Sequence, residues 1–136
     1  TQATTNYNMD TPLQPGQMLI SSPDPVSQCQ FIKLYRPPHE TPAQREYREL
    51  REKLQYFHHK FWAYNNTEFS RMEAEYIAKV QTNPEAPVDD LAMLKFYGMY
   101  SDQARGRYLE YNRQWWQFNF RLLRLGFRAW LDSWRK

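Results

Sequence analysis

Arginine and tryptophan crowd together near the C-terminus of this chain, and the chemistry such residues do is binding. Residues 102–136 hold eight bases against three acids, and four of the five tryptophans, Trp115, Trp116, Trp130 and Trp134. Tryptophan beside arginine is typical of protein-interface anchors. The same mixture suits two other partners: a membrane surface, where an apolar face lies against lipid and an Arg-rich face against headgroups, and RNA, where Arg holds phosphate and rings stack on bases. Residues that could catalyse are poorly disposed. His58 and His59 are adjacent, so on a helix they point about 100° apart and lack the i, i+4 spacing that shares a metal. His39 lies far away among prolines. Glu73 and Glu75 diverge on a helix, and Asp89-Asp90 reads as a cap. No Ser is accompanied by a His and Asp pattern. A sole cysteine, Cys29, has no base nearby and excludes an internal disulfide and a Cys-based zinc or copper site. These residues predict a protein that is not an enzyme and needs no cofactor, metal or small-molecule substrate.

The size and composition of the chain limit what can position those residues. At 136 residues the chain fits one domain, able to bury roughly two thirds of its unfolded surface in one core. It is 24% charged and 41% hydrophobic, and its mean hydropathy is -0.91. No run of 18 or more apolar residues is present to span a bilayer, and four glycines leave no room for a Gly-rich phosphate loop. Aromatic residues nevertheless reach 17%, high for so polar a chain. Net charge is -2 over residues 1–30, zero over 31–101 and +5 over 102–136, so the overall +3 is a C-terminal property. The first thirty residues have neither the basic nor the apolar region of a secretory signal, and a start at Thr1 reads as that of a processed chain.

The spacing of prolines and apolar residues predicts an all-α fold of about four helices, preceded by an extended Pro-rich arm over residues 1–40. Pro12, Pro15, Pro23, Pro25, Pro37 and Pro38 keep the arm out of helix. Residues 1–20 read as a tail; from Ser22 the apolar Val26, Phe31, Ile32, Leu34 and Tyr35 predict a strap lying along a surface. The helical domain, 41–136, opens on a capping box of Thr41 and Gln44 with Pro42 at the first helical position. Tyr47, Leu50, Leu54, Phe57, Phe61 and Tyr64 then form an unbroken heptad seam. Asn65 and Asn66 predict its end. A second capping box, Ser70 with Glu73, predicts a short helix carrying Ala74, Ile77 and Val80. Asn83, Pro84 and Pro87 break the chain, and Asp89 predicts the cap of a third helix, with Leu91, Leu94 and Tyr97 inward, fading between Gly98 and Ser101.

The fourth helix, from about Asp102, has apolar residues around most of its circumference. At 100° per residue its charges, Arg113, Arg121, Arg124 and Arg128 among them, fall within about 120°, and apolar residues take the remaining 240° or so. One flank carries Tyr111, Trp115, Phe118, Leu122 and Leu125; the other carries Leu109, Trp116, Phe120, Leu123, Phe127, Trp130, Leu131 and Trp134. Packing on one neighbour needs only about 100°. The helix therefore predicts cover on two sides, from the other helices or from a foreign surface faced by Trp116, Trp130 and Trp134. Between the flanks runs a row of small or amide residues, Asn112, Asn119, Gly126 and Ser133, open to close approach by another backbone.

Several segments, taken together, resemble a known family. They are Pro23-Asp24-Pro25-Val26-Ser27, Tyr35, Pro37, Glu40-Thr41-Pro42, Phe61-Trp62-Ala63, Asn66, Phe69, Glu75-Tyr76-Ile77, Phe96-Tyr97, Tyr111-Asn112-Arg113 with Trp115, and Asn119-Phe120. In order and spacing they resemble the cytochrome c oxidase assembly factor 8 family, also called apoptogenic protein 1, over about residues 22–134. The chain departs from the family at Gln28-Cys29-Gln30-Phe31 and at Ser21-Ser22. The resemblance implies a nuclear-encoded mitochondrial protein, imported on a cleaved transit peptide, that serves complex IV assembly at the matrix or the matrix face of the inner membrane. It also implies a partner in the respiratory chain, with a permanent accessory subunit of a respiratory complex or mitoribosome as the alternative. The contact residues expected are Trp115, Trp116, Arg121, Arg124, Phe127, Arg128, Trp130 and Trp134 on the last helix and Pro23, Asp24, Phe31 and Tyr35 on the strap. Thr41, Pro42, Phe61, Trp62, Ala63, Tyr111, Asn112 and Arg113 are expected to carry structure.

Overall fold

The computed structural model describes residues 10–135. Two long helices form where four were expected: α1, Pro42–Val80, of 39 residues, and α2, Asp90–Trp134, of 45. The start of α1 follows its sequence signal. Thr41 accepts from the Gln44 amide, the Gln44 side chain returns the bond to the Thr41 amide, and Pro42 occupies the first turn. The Pro84 and Pro87 break also falls where expected, in the loop between the helices. Asp89 stands at the N-cap of α2 but makes no side-chain capping bond.

Tertiary contacts erase the two expected internal boundaries. Asn65 is buried on α1, where its side-chain oxygen accepts from Tyr100 at 2.9 Å and Arg107 at 3.1 Å. Asn66 donates to the Val26 carbonyl at 2.9 Å, and Thr67 bonds back to Ala63 at 2.8 Å. Amides that could have turned the chain are thus occupied by other segments, and the helix runs on. Ser70 and Glu73 are helix interior, with no free N-terminus to cap. In α2, Phe96 is 0% exposed and forms a core with Tyr100 and Ala104, which carries the helix through Gly98 and past Ser101. Burying such a ring contributes about 2–3 kcal/mol, more than the roughly 1 kcal/mol that a mid-helix glycine costs. The inward side of this stretch is Phe96, Tyr100 and Ala104; the expected inward Leu91, Leu94 and Tyr97 are exposed instead.

The helices lie antiparallel, as rings paired along their length show. Phe69 meets Phe96, Phe61 stacks on Tyr111 at 3.9 Å, and Phe57 lies against Phe118. At the far end the Tyr47 ring covers Gly126, where an added Cβ would stand 3.2 Å from it. The close approach expected at the small-residue row is therefore made at Gly126 by a ring of the same chain. Leu50 is buried in the α1 seam, while Tyr64 at its end is exposed.

The strap holds the third finding. Where no strand was expected, Met18–Ile20 (β1) pairs antiparallel with Ile32–Leu34 (β2). Its link turns on Asp24, whose Oδ1 accepts from the Val26 and Ser27 amides at 3.0 and 2.8 Å. Those bonds, Ser27 foremost, hold the Asp24 carboxyl below its usual range. Gln28 adopts φ 60, a left-handed conformation steadied by its side chain bonding Pro25. Gln55 of α1 then grips β2 like a third strand: its side chain accepts from the Ile32 amide at 2.6 Å and donates to the Ile32 carbonyl at 2.9 Å. Val26, expected as an apolar anchor, is 47% exposed and is held by its backbone. The tail read over residues 1–20 lies outside the described residues as far as residue 9; beyond that point it includes β1. Among the described residues no helix is long and apolar enough to cross a membrane.

Candidate functional site

Two opposite flanks of α2 meet different environments. The flank toward α1 is closed around Tyr111. Its hydroxyl accepts from the Trp62 indole at 3.2 Å and is hydrogen-bonded to His58 Nδ1. With its oxygen accepting from Trp62, the hydroxyl can donate its own proton to His58 Nδ1 when that imidazole is neutral. Burial pushes His58 below its ordinary value and is the main reason Tyr111 lies above its own, against the lowering pull of the Trp62 bond. Phe61-Trp62 of one helix and Tyr111 of the other, quoted above as separate motifs, thus meet in a single contact. Ala63 lies half-buried beside them, and Asn112 is exposed.

The outward flank has no such closure. Trp116, Phe120, Leu123, Phe127, Trp130 and Trp134 are 53–73% exposed, a run of large apolar side chains that this chain leaves in water. Its ring pairs are all within the stripe: Trp116 with Phe120, Phe127 with Trp130, and Trp130 with Trp134, at 5.6–6.0 Å. Trp115 sits at the border, edge-on to His58 at 5.5 Å and still 40% exposed. Single exposed hydrophobes are ordinary, but contiguous ones mark interaction surfaces.

Beside this stripe lie the arginines. Arg113 is spent on Glu110, at 2.6 and 2.8 Å, and that grip together with Gln114 pulls the Glu110 carboxyl down to about 2. Arg121, Arg124 and Arg128 are exposed, and none is within ion-pair distance of a carboxylate among the described residues. Of the strap residues expected at a partner, Asp24 serves its own turn, Phe31 packs on His59 at 5.1 Å, Tyr35 is half-buried near Tyr47, and Pro23 is exposed. The strap is held further by Ser27 to His59 at 2.9 Å and by Glu40, whose carboxylate takes Arg48 in a fork at 2.6 and 3.0 Å.

Sequence reasoning placed Phe120 and Leu123 on the second flank without including them among the contacts. Their signal was present: 116, 120, 123, 127, 130 and 134 are spaced +4, +3, +4, +3, +4, the heptad alternation of a helix seam. Gln55, Asn65 and Arg107 carried no comparable signal, since polar residues at such positions on a helix ordinarily face water.

The fold and its outward face define a class: a strapped helical hairpin that presents an aromatic, arginine-edged ridge. The family model of cytochrome c oxidase assembly factor 8 matches residues 17–135, and the chain belongs to that family. It is 27% identical over 111 residues to mouse cytochrome c oxidase assembly factor 8, covering 74% of this chain and 58% of the mouse protein. Against the human protein of that name the identity is again 27%, over 74% of this chain and 54% of the relative. A mitochondrial family member from Caenorhabditis briggsae is 29% identical over 108 residues, covering 76% of this chain and 75% of the relative. The chain thus spans just over half the length of its mammalian relatives. No solved structure matches it significantly.

Proposed function

We propose that this chain acts in mitochondria, at the matrix or the matrix face of the inner membrane, as a non-catalytic factor in cytochrome c oxidase assembly. It does so by holding a protein partner along the outward ridge of α2. The observation that carries this reading is the ridge itself. The family supplies the process, since the relatives are named for cytochrome c oxidase assembly, and the ridge supplies a means. Tryptophans at a ridge centre, once covered, are the residues that dominate binding energy. Trp116, Trp130, Trp134 and Phe127 form the anchors, with Arg121, Arg124 and Arg128 as the rim and Trp115 at the border. The strap, with Phe31 and Tyr35 against α1 and Pro23 outward, stiffens the hairpin that presents them.

The test is genetic. In cells lacking their own copy, the wild-type chain restores assembled cytochrome c oxidase on native gels, whereas Leu123→Ser with Phe127→Ser accumulates normally and restores little. Full restoration by that double variant would overturn the reading.

A further inference from the structure

We infer that the occupant of the α2 ridge is a protein helix with an acidic edge, which packs on α2 as a third helix in coiled-coil register. This inference rests on the reading of the ridge as the partner-binding face. Three observations carry it.

The first is the spacing. Trp116, Leu123 and Trp130 stand at one heptad position, d, and Phe120, Phe127 and Trp134 at the other, a. A sustained a/d alternation is the pattern by which one helix receives the knobs of another. The second is width. On a straight helix these six residues span about 80°, and with the exposed Leu109 and Leu131 of the same flank included the sector is about 100°, the width that packing on one neighbour takes. A helix lying in a lipid interface wants a wider apolar sector than this, because its apolar side is immersed rather than seamed.

The third observation is that the two edges of the seam differ. On one side, the g positions are Asn112, Asn119, Gly126 and Ser133, which carry no charge. On the other, Arg124 stands at e, with Arg121 and Arg128 a row further out at b, and all three are exposed without a carboxylate partner among the described residues. Charges flanking a heptad seam choose its partner and orientation. A helix carrying Asp or Glu along the facing edge meets this row; one carrying Lys or Arg is repelled. A second copy of the chain would bring the +5 segment against itself, which disfavours self-pairing.

The experiment uses the full chain and two synthetic four-heptad peptides. Both have Ile at a and Leu at d; one has Glu at e and g and the other Lys, so that each peptide repels its own copies. Binding is followed by fluorescence anisotropy of the labelled peptide. The Glu peptide is expected to bind about tenfold or more tighter than the Lys peptide, with the advantage shrinking as salt rises from 50 to 500 mM. Arg121→Glu, Arg124→Glu and Arg128→Glu together are expected to invert the preference, and Leu123→Ser with Phe127→Ser to abolish both, with helical circular dichroism unchanged. Equal binding of the two peptides, or binding of neither, overturns the inference. So does a dimer of the chain at low micromolar concentration that the Glu peptide does not dissolve, which assigns the ridge to a second copy. Tryptophan blue shifts on phosphatidylcholine vesicles containing cardiolipin, with no peptide bound, assign it to lipid. If the ridge variant loses cytochrome c oxidase assembly but the peptides show no charge preference, only the acidic helix falls. If the preference holds while the ridge variant restores assembly in full, it is the proposed function that falls.

Discussion

The two flanks of α2 are built from the same kinds of residue and have opposite fates. Toward α1, Phe96, Tyr111 and Phe118 each meet a ring of the other helix, and Tyr111, Asn65 and Tyr100 have polar atoms bonded across the helix pair. Outward, equally large rings pair only with rings of their own stripe and stay more than half exposed. Tryptophan and phenylalanine contribute stability only where burial removes them from water. The inner flank therefore holds the fold, and the outer flank retains that contribution for whatever covers it.

Substitutions at matched residues test this contrast directly. Phe96→Ala should cost about 4 kcal/mol, because it empties a fully enclosed site, while Phe127→Ala should change stability by no more than about 0.5 kcal/mol. Urea unfolding of the two variants separates them, and a comparable loss for both would show that the outer flank is core. A smaller effect is expected where the strap is tied down. Gln55→Ala removes both bonds to Ile32 and should cost about 1–2 kcal/mol, read as strap amides that exchange faster while α1 stays protected. Uniform loosening of α1 would place the strap inside the main cooperative unit.

The smallest effect is one of pH, and it marks the inner flank alone. Burial holds His58 below the ordinary histidine value of 6.5, so the unfolded chain binds a proton that the folded chain refuses. Its contribution is complete above about pH 6.5 and is lost as pH falls through the lowered folded value. Thermal melts at pH 7.5 and 5.5 should therefore show a loss on acidification that His58→Gln reduces. An unchanged slope in that variant would mean that His58 titrates as if exposed.

Much of this architecture was legible in the order of residues. The Thr41 box, the Pro84 and Pro87 break and the seam of α1 are local signals with a local cause: a capping hydroxyl, a missing amide, a periodicity. The excess of apolar surface on α2 was legible too, because an arc of about 240° exceeds what one neighbour covers. The internal helix ends were misread because Asn65, Asn66 and Ser70 look like punctuation. The two asparagine amides could end a helix or reach across to another segment, and sequence does not reveal whether a partner stands within about 3 Å. The β1 and β2 pairing was missed for a related reason: with three residues each, the strands carry too little alternation to register, and Gln55 completes them from another element.

By itself, then, the sequence determined that this chain is helical, that its last helix has more apolar circumference than one neighbour can cover, and that basic charge flanks it. Periodicity and charge are properties of the chain alone. Tertiary structure decided that α1 took the Tyr111 flank, leaving the flank of Trp116, Trp130 and Trp134 in water and Trp115 at the border between them. That choice depends on packing and hydrogen bonding between residues far apart in sequence: Phe61 on Tyr111, Tyr47 over Gly126 and Asn65 beneath Tyr100. No periodicity within one helix specifies such pairs.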